Sequence, residues 1–170
     1  MKRYPSITIL LMIATFQTLA ATRIAVLDFE LNDITLLPNT KEELERTASI
    51  APLLRESLSR TGNYQAVAVT AESQRSANAG FGYLFRFHDI AANLGQQYDA
   101  DWIVVSQHSK PSFLYSYLRS YLIQVKTRTT IARYDIELKG SHESVMRQGV
   151  GALANKLHQT LSRQDEINLE

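Results

Sequence analysis

The stretch from Arg23 to Leu31, RIAVLDFEL, carries apolar side chains at Ile24, Val26 and Leu27, on both faces of an extended chain. A strand that is apolar on both faces belongs inside a sheet covered by helices, which is an α/β arrangement. The remaining patterns supply such helices. Thr40 and Glu43 form a T-x-x-E capping box at a helix start. Leu44, Ala48, Ala51, Leu54 and Leu58 follow at helical spacing, with Gly62 as a stop. Pro52 removes an amide donor inside that run, so a kink or restart is expected near Ile50 to Pro52.

YQAVAVT reads as a second strand. In the segment that follows, the first part holds Ser, Asn and two Gly and reads as loop or frayed turn, and a helix is expected from about Phe87 to Leu94, stopping at Gly95. ADWIVVSQH is a third strand. SYLIQVKTRTTIARYDIELKG reads as an antiparallel pair turning near Thr127 to Thr130. Ser141 is expected to cap a last helix whose stripe of Val145, Gly149, Leu153, Leu157 and Leu161 must dock on the sheet. The order β-α-β-α-β-β-β-α predicts a single α/β domain with a mixed sheet of about five strands covered by helices. Its expected span is residues 22–163, with a polar tail at 164–170.

Residues 1–21 read as a secretory signal: a basic start at Lys2 and Arg3, the apolar core SITILLMIATF, and the small-residue end QTLAA. The apolar run is shorter than the roughly 20 residues that span a bilayer. Cleavage fits after Ala20 or after Ala21. With no cysteine in the chain there is neither a disulfide nor a lipid-bearing cysteine, so the expected location is the periplasm, without a lipoprotein anchor or a membrane span after cleavage. Removing Lys2 and Arg3 from the 18 basic residues leaves 16 against 17 acidic ones, a net charge of −1. That balance lacks the basic face that nucleic-acid binding requires.

Asp28, Glu30, Asn32 and Asp33 form the densest run of oxygen ligands in the chain. An EF-hand loop would place Gly sixth and Glu twelfth, whereas counting from Asp28 those places hold Asp33 and Asn39. Alternation in a strand would put Asp28 and Glu30 on one face, and the carboxyl end of a central strand is where α/β folds bind ligands. The plainer role is to solvate a strand end or cap a turn. The alternative is a small-ligand or cation site made by Asp28, Glu30 and Asp33. A second candidate is the aromatic run in which Phe113, Tyr115, Tyr117 and Tyr121 share parity with Arg119, a stripe of rigid anchors suited to a protein partner. Its plainer reading is that Leu114, Leu118 and Leu122 pack inward while the tyrosine hydroxyls stay wet.

Recognisable catalytic patterns are absent from the sequence. His88, His108, His142 and His158 are scattered, with no HExxH pair. The GFG at Gly80 to Gly82 lacks the Lys and Ser/Thr of a phosphate loop, and no G-x-S-x-G elbow exists. The expectation is a non-enzymatic protein without a cofactor or a bound metal.

Three phrases carry a family resemblance: IAVLDFEL before a helix, LGQQYDADWIVV before a Lys-Pro-Ser turn, and ARYDIELKGS leading into the last helix. Together they resemble an exported proteobacterial family of unknown function. In outline the chain is also similar to the amino-terminal domain of TolB and to CsgG-type periplasmic domains. The resemblance implies that fold and protein-protein work in the cell envelope, docking by an edge strand or helix face, and an association with quinoprotein dehydrogenase systems. No propeller-like repeats follow in this sequence, so it does not imply the Tol-system role itself.

Overall fold

The computed structural model describes residues 21–35, 38–60 and 63–167. The expected leader up to Ala20 and the expected stop at Gly62 lie outside the described residues. Strands β1 (Thr22–Val26), β2 (Glu30–Asp33), β3 (Tyr64–Ala68), β4 (Trp102–Lys110), β5 (Tyr115–Gln124) and β6 (Thr129–Lys139) form one mixed sheet. Its order is β3-β1-β4-β5-β6, with β2 also paired to β4. The helices are α1 (Lys41–Ala48), α2 (Ile50–Ser59), α3 (Ala71–Ala77), α4 (Tyr83–Arg86), α5 (His88–Gln97) and α6 (Glu143–Ile167).

The sixth strand arises because RIAVLDFEL is broken at Leu27 to Phe29. Before the break Ile24 pairs in parallel with Trp102, and after it Glu30 pairs in parallel with Gln107, both on β4. Beyond the end of β3, the side chain of Gln74 takes up the backbone of Asp28: its Oε1 accepts from the Asp28 amide at 2.9 Å and its Nε2 donates to the Asp28 carbonyl at 3.0 Å. β4, β5 and β6 are antiparallel neighbours, with Gln107 opposite Arg119 and Arg119 opposite Asp135.

Two cores follow from the strand alternation. Ile24, Val26, Trp102, Val104, Leu118 and Leu122 pack with α2 and α6 on one face. Ala25, Leu27, Ile103 and Val105 pack with α4 and α5 on the other. The apolar stripe of α6 docks as expected through Gly149, Leu153, Leu157 and Leu161, widened by Met146, Val150 and Ala154. A Cβ on Gly149 would collide with Leu138, so only glycine lets the helix lie this close to β6.

Several local expectations are corrected. The segment expected as loop before Phe87 contains α3 and α4; Thr70 caps α3 by accepting from the Ser73 amide at 3.1 Å. The last helix begins at Glu143, with Met146 donating to the His142 carbonyl, so Ser141 precedes the cap position. It also continues to Ile167, through the first four residues expected as tail. The restart before Pro52 is found: α1 ends at Ala48 and α2 begins at Ile50, which puts the proline in a first turn where its missing amide costs little.

Candidate functional site

α1 is rotated by about a quarter turn from the orientation its apolar spacing suggests. Leu44 and Ala48 are exposed, while Glu43 and Thr47 are buried. The reason lies at the carboxyl end of β4, where the strand changes from apolar to Ser106, Gln107, His108, Ser109 and Lys110. The Lys110 ammonium donates to Asp33 Oδ2 at 3.0 Å and lies 3.3 Å from Glu43 Oε2. Arg46 pairs with the other oxygen of Glu43. Two carboxylates and two cations thus neutralise one another where β2, β4 and α1 meet.

His108 lies beneath this cluster with no exposed surface. Its Nδ1 is 2.8 Å from Thr47 Oγ1 and its Nε2 is 3.0 Å from Ser116 Oγ on β5. In a neutral imidazole one nitrogen donates and the other accepts, and the two hydroxyls suit both needs. Burial takes the imidazole down to about 4, against the upward pull of Glu43. Burial alone would raise the carboxyls of Glu43 and Asp33. Arg46 and Lys110 outweigh it at Glu43, and the Thr35 hydroxyl and amide with Lys110 outweigh it at Asp33, so both stay below the usual carboxylate value.

A serine beside a histidine invites comparison with a nucleophilic triad, and the geometry argues against one. Glu43 Oε1 is 3.8 Å from His108 Nδ1, too far to orient it by a hydrogen bond, and its charge is already spent on Arg46 and Lys110. Ser116 is itself buried. The network locks α1 to the sheet. It has the form of a structural cluster.

The structure sends the three acidic candidates to different neighbours. Asp28 faces Arg55 of α2, 3.7 Å away. Glu30 accepts from Asn78 at 2.7 Å, from the Gly82 amide at 2.9 Å and from Gln107 at 3.3 Å. Asp33 caps Thr35 and binds Lys110. Among the described residues, no group of three or more His, Asp or Glu side chains is placed to hold a metal ion.

The aromatic stripe is real in parity and uneven in exposure. Leu118 and Leu122 are buried on the α6 face, while Tyr115, Tyr117, Arg119 and Tyr121 share the opposite face. Leu114, expected to pack inward, is 79% exposed, because β5 begins only at Tyr115 and Leu114 sits on the preceding turn. Tyr121 is packed on Phe85 and His88, with ring centroids at 4.8 and 4.4 Å. Arg119 pairs with Asp135 at 3.2 Å, and its guanidinium carbon lies 5.8 Å from the Tyr117 ring. Phe113 and Tyr115 are the stripe's most exposed members, at 63% and 38%; the Lys110 ammonium lies 5.7 Å from the Phe113 ring, and Tyr115 meets Tyr117 edge-on at 5.7 Å.

They have company. Ile34 follows β2, Leu44 is on α1, and Phe81 adjoins the Gly82 amide that binds Glu30; all three are exposed. Six of the large exposed apolar residues therefore collect around the carboxyl ends of β2 and β4 and the β4–β5 turn. A hollow of about 740 Å³ is at the other end of the sheet, beside Arg23, Asp101 and Trp102. There the Arg23 guanidinium donates to the carbonyls of Tyr98 and Asp99 and to Gln65.

The profile of family DUF3280, described as Protein of unknown function (DUF2380), matches residues 22–157. The chain belongs to the DUF3280 family. No curated protein matches it. Among solved structures this DUF3280 member is similar to TolB from Acinetobacter baumannii, at 16% identity and a TM-score of 0.53, over 84% of this chain and 28% of that one. The chain thus spans about a quarter of the TolB structure's length. It is also similar to the PelC dodecamer from Paraburkholderia phytofirmans, at 12% identity and a TM-score of 0.52, over 83% of this chain and 87% of that one. The C-terminal domain of LpoB from Salmonella enterica matches at 17% identity and a TM-score of 0.45, over 72% and 87%. The profile match bears out the expected family of unknown function, and the likeness to the TolB and PelC structures bears out the TolB-like α/β fold.

Glu43, Arg46, Thr47, His108 and Lys110 were not singled out from the sequence as a group. Two signals point to them: Glu43 and Thr47 share a helical face with Ala51 and Leu54, and β4 turns polar on both faces after Val105. Among the described residues no helix is long and apolar enough to cross a membrane.

Proposed function

We propose that the protein is a periplasmic, non-enzymatic accessory that docks a protein partner of the cell envelope through the end of the domain bearing the β4–β5 turn. One observation carries this reading: Ile34, Leu44, Phe81, Phe113, Leu114 and Tyr115, all large, apolar and exposed, gather at that end. Large apolar side chains left exposed at one end of a domain suit contact with a protein partner. Phe113 and Tyr115 are the anchors, and Tyr117 and Arg119 flank them on the open sheet face, with Tyr121 supporting from beneath α4 and α5. In this reading residues 1–21 direct export, and 22–163 form the working domain. The family resemblance suggests a quinoprotein dehydrogenase system as the partner. The PelC structure is a dodecamer, so self-assembly of this fold is a competing use of the same surface.

A photo-crosslinking amino acid placed at Phe113, and as a control at Lys126 in the opposite turn, tests the proposal in intact cells. Adducts with one envelope protein from position 113, and none from 126, are the expected result. Adducts only with further copies of this chain, or none at all, would overturn it.

A further inference from the structure

Strand β1 starts where the expected leader ends. Thr22 is already opposite Tyr64 of β3, and Arg23 is opposite Gln65. On the other side the Arg23 amide donates to Asp101 Oδ2 at 2.8 Å, and the Arg23 carbonyl accepts from the Asp101 amide at 2.9 Å. The side chain adds three bonds: Nε donates to the Asp99 carbonyl at 2.8 Å, one terminal nitrogen to Gln65 at 2.9 Å, and the other to the Tyr98 carbonyl at 3.0 Å. Arg23 is thereby tied to β3, to the end of α5 and to the start of β4.

From Ile24 onward β1 has β3 on one side and β4 on the other, and Ile24, Ala25 and Val26 are completely buried. Val26 belongs to the core beneath α2 and α6, and Ala25 to the core beneath α4 and α5. A strand held on both edges and both faces does not peel away alone. Freeing it opens the whole domain.

The expected cut, after Ala20 or after Ala21, has Thr22 and Arg23 on its far side in either case. A peptidase holds its substrate as an extended strand, through the same backbone groups that a sheet uses. Both backbone groups of Arg23 are committed to Asp101 in the folded domain. The fold and the peptidase therefore compete for the same residues.

We propose that the chain crosses the membrane unfolded and loses its leader before β1 joins the sheet, so that folding seals the cleavage site. The inference rests on the reading of residues 1–21 as an export leader and adds the state in which the chain travels. A carrier of folded proteins would deliver a precursor that a leader-cleaving peptidase cannot process.

The test uses the full precursor, residues 1–170, purified without export and mixed in detergent micelles with a purified leader peptidase. Trp102, the only tryptophan and 3% exposed, reports through its emission whether the domain is folded. One variant carries eight Gly and Ser residues between Ala21 and Thr22, which can move the cut about 26 Å from the sheet. A second, Leu153→Asp, unfolds the domain. The folded parent should release its leader at least about 100-fold more slowly than the spacer variant, because a central strand opens only with the domain. Leu153→Asp should restore the fast rate. A parent that stays unfolded by Trp102 emission until it is cut would give the same order of events. Cleavage of the folded parent within about threefold of the spacer variant would overturn the proposal and leave the export reading standing. Absence of a cut at Ala20 or Ala21 in all three forms would remove both.

Discussion

His108 Nδ1 lies 2.8 Å from Thr47 Oγ1, and this contact joins the carboxyl end of β4 to a helix that the sequence pattern would have rotated outward. It makes the imidazole an internal part of the fold, and acid is the means of disturbing it. The unfolded chain protonates histidine near pH 6.5, while the folded chain holds His108 neutral until about 4. Between those values the unfolded state binds the extra proton, so stability falls as pH falls from about 6.5 to about 4, by about 3 kcal/mol in all. Denaturant melts across this range should show the slope, and His108→Gln should remove about one proton of it. Asp33 and Glu43, both held low, contribute stability that is present above the unfolded carboxylate range and lost below it, so a steeper acid limb should survive in His108→Gln.

Lys110→Met should cost about 3 kcal/mol, because it leaves Asp33 and Glu43 facing each other with one cation fewer in a largely buried setting. Adding Asp33→Asn to Lys110→Met should recover part of that loss. Strict additivity of the two substitutions in chemical melts would show that the residues are not energetically coupled.

Leu153→Asp should unfold the domain or cost about 4 kcal/mol, since Leu153 is completely buried under the sheet and the introduced carboxylate would have no partner. Glu166→Ala, exposed near the end of the same helix, should change stability by less than about 0.5 kcal/mol. Thermal melts of both variants make the comparison.

Phe113→Ser combined with Leu114→Ser should leave the melting temperature within about 2 °C of the parent, because both side chains stand in solvent. The same double variant should lose the envelope cross-link when the photo-probe is moved to Tyr115. Retention of the adduct at parental yield would show that these side chains are not the anchors.

Millimolar calcium should leave the melting temperature unchanged. A ligand at about 100 times its dissociation constant would add about 2.7 kcal/mol, and Asp28, Glu30 and Asp33 are each directed to a different partner. A saturable rise that disappears in Asp28→Asn with Glu30→Gln would establish a cation site after all.

The architecture was readable because its signals are local. The doubly apolar run at Ile24 to Leu27 is a central strand, and the stripe of α6, repeating every four residues, docks where its spacing requires. α1 was not readable from apolar periodicity. Leu44 and Ala48 fit the stripe, yet Glu43 and Thr47 turn inward, because their partners, Lys110 and His108, are supplied by a strand more than sixty residues away. Spacing within one helix carries no record of such partners. The candidate aromatic surface was legible in its parity through Tyr115 and Tyr117. Leu114 was misplaced because the start of β5, which decides whether alternation applies, depends on pairing with β6. The gathering of Ile34, Leu44 and Phe81 beside Phe113 is a property of topology, which joins segments distant in the chain.

The amide of Gln74, bonded to both backbone groups of Asp28, occupies the place where a further strand would begin to pair beside β2. Gln74 and the α3 helix that carries it therefore cover that margin of the sheet. Gln74→Ala would uncover a donor and an acceptor at an otherwise occupied margin, turning a sealed border into a template for a foreign chain. The expected outcome for Gln74→Ala is a greater tendency to aggregate, read by light scattering, with the core packing unchanged.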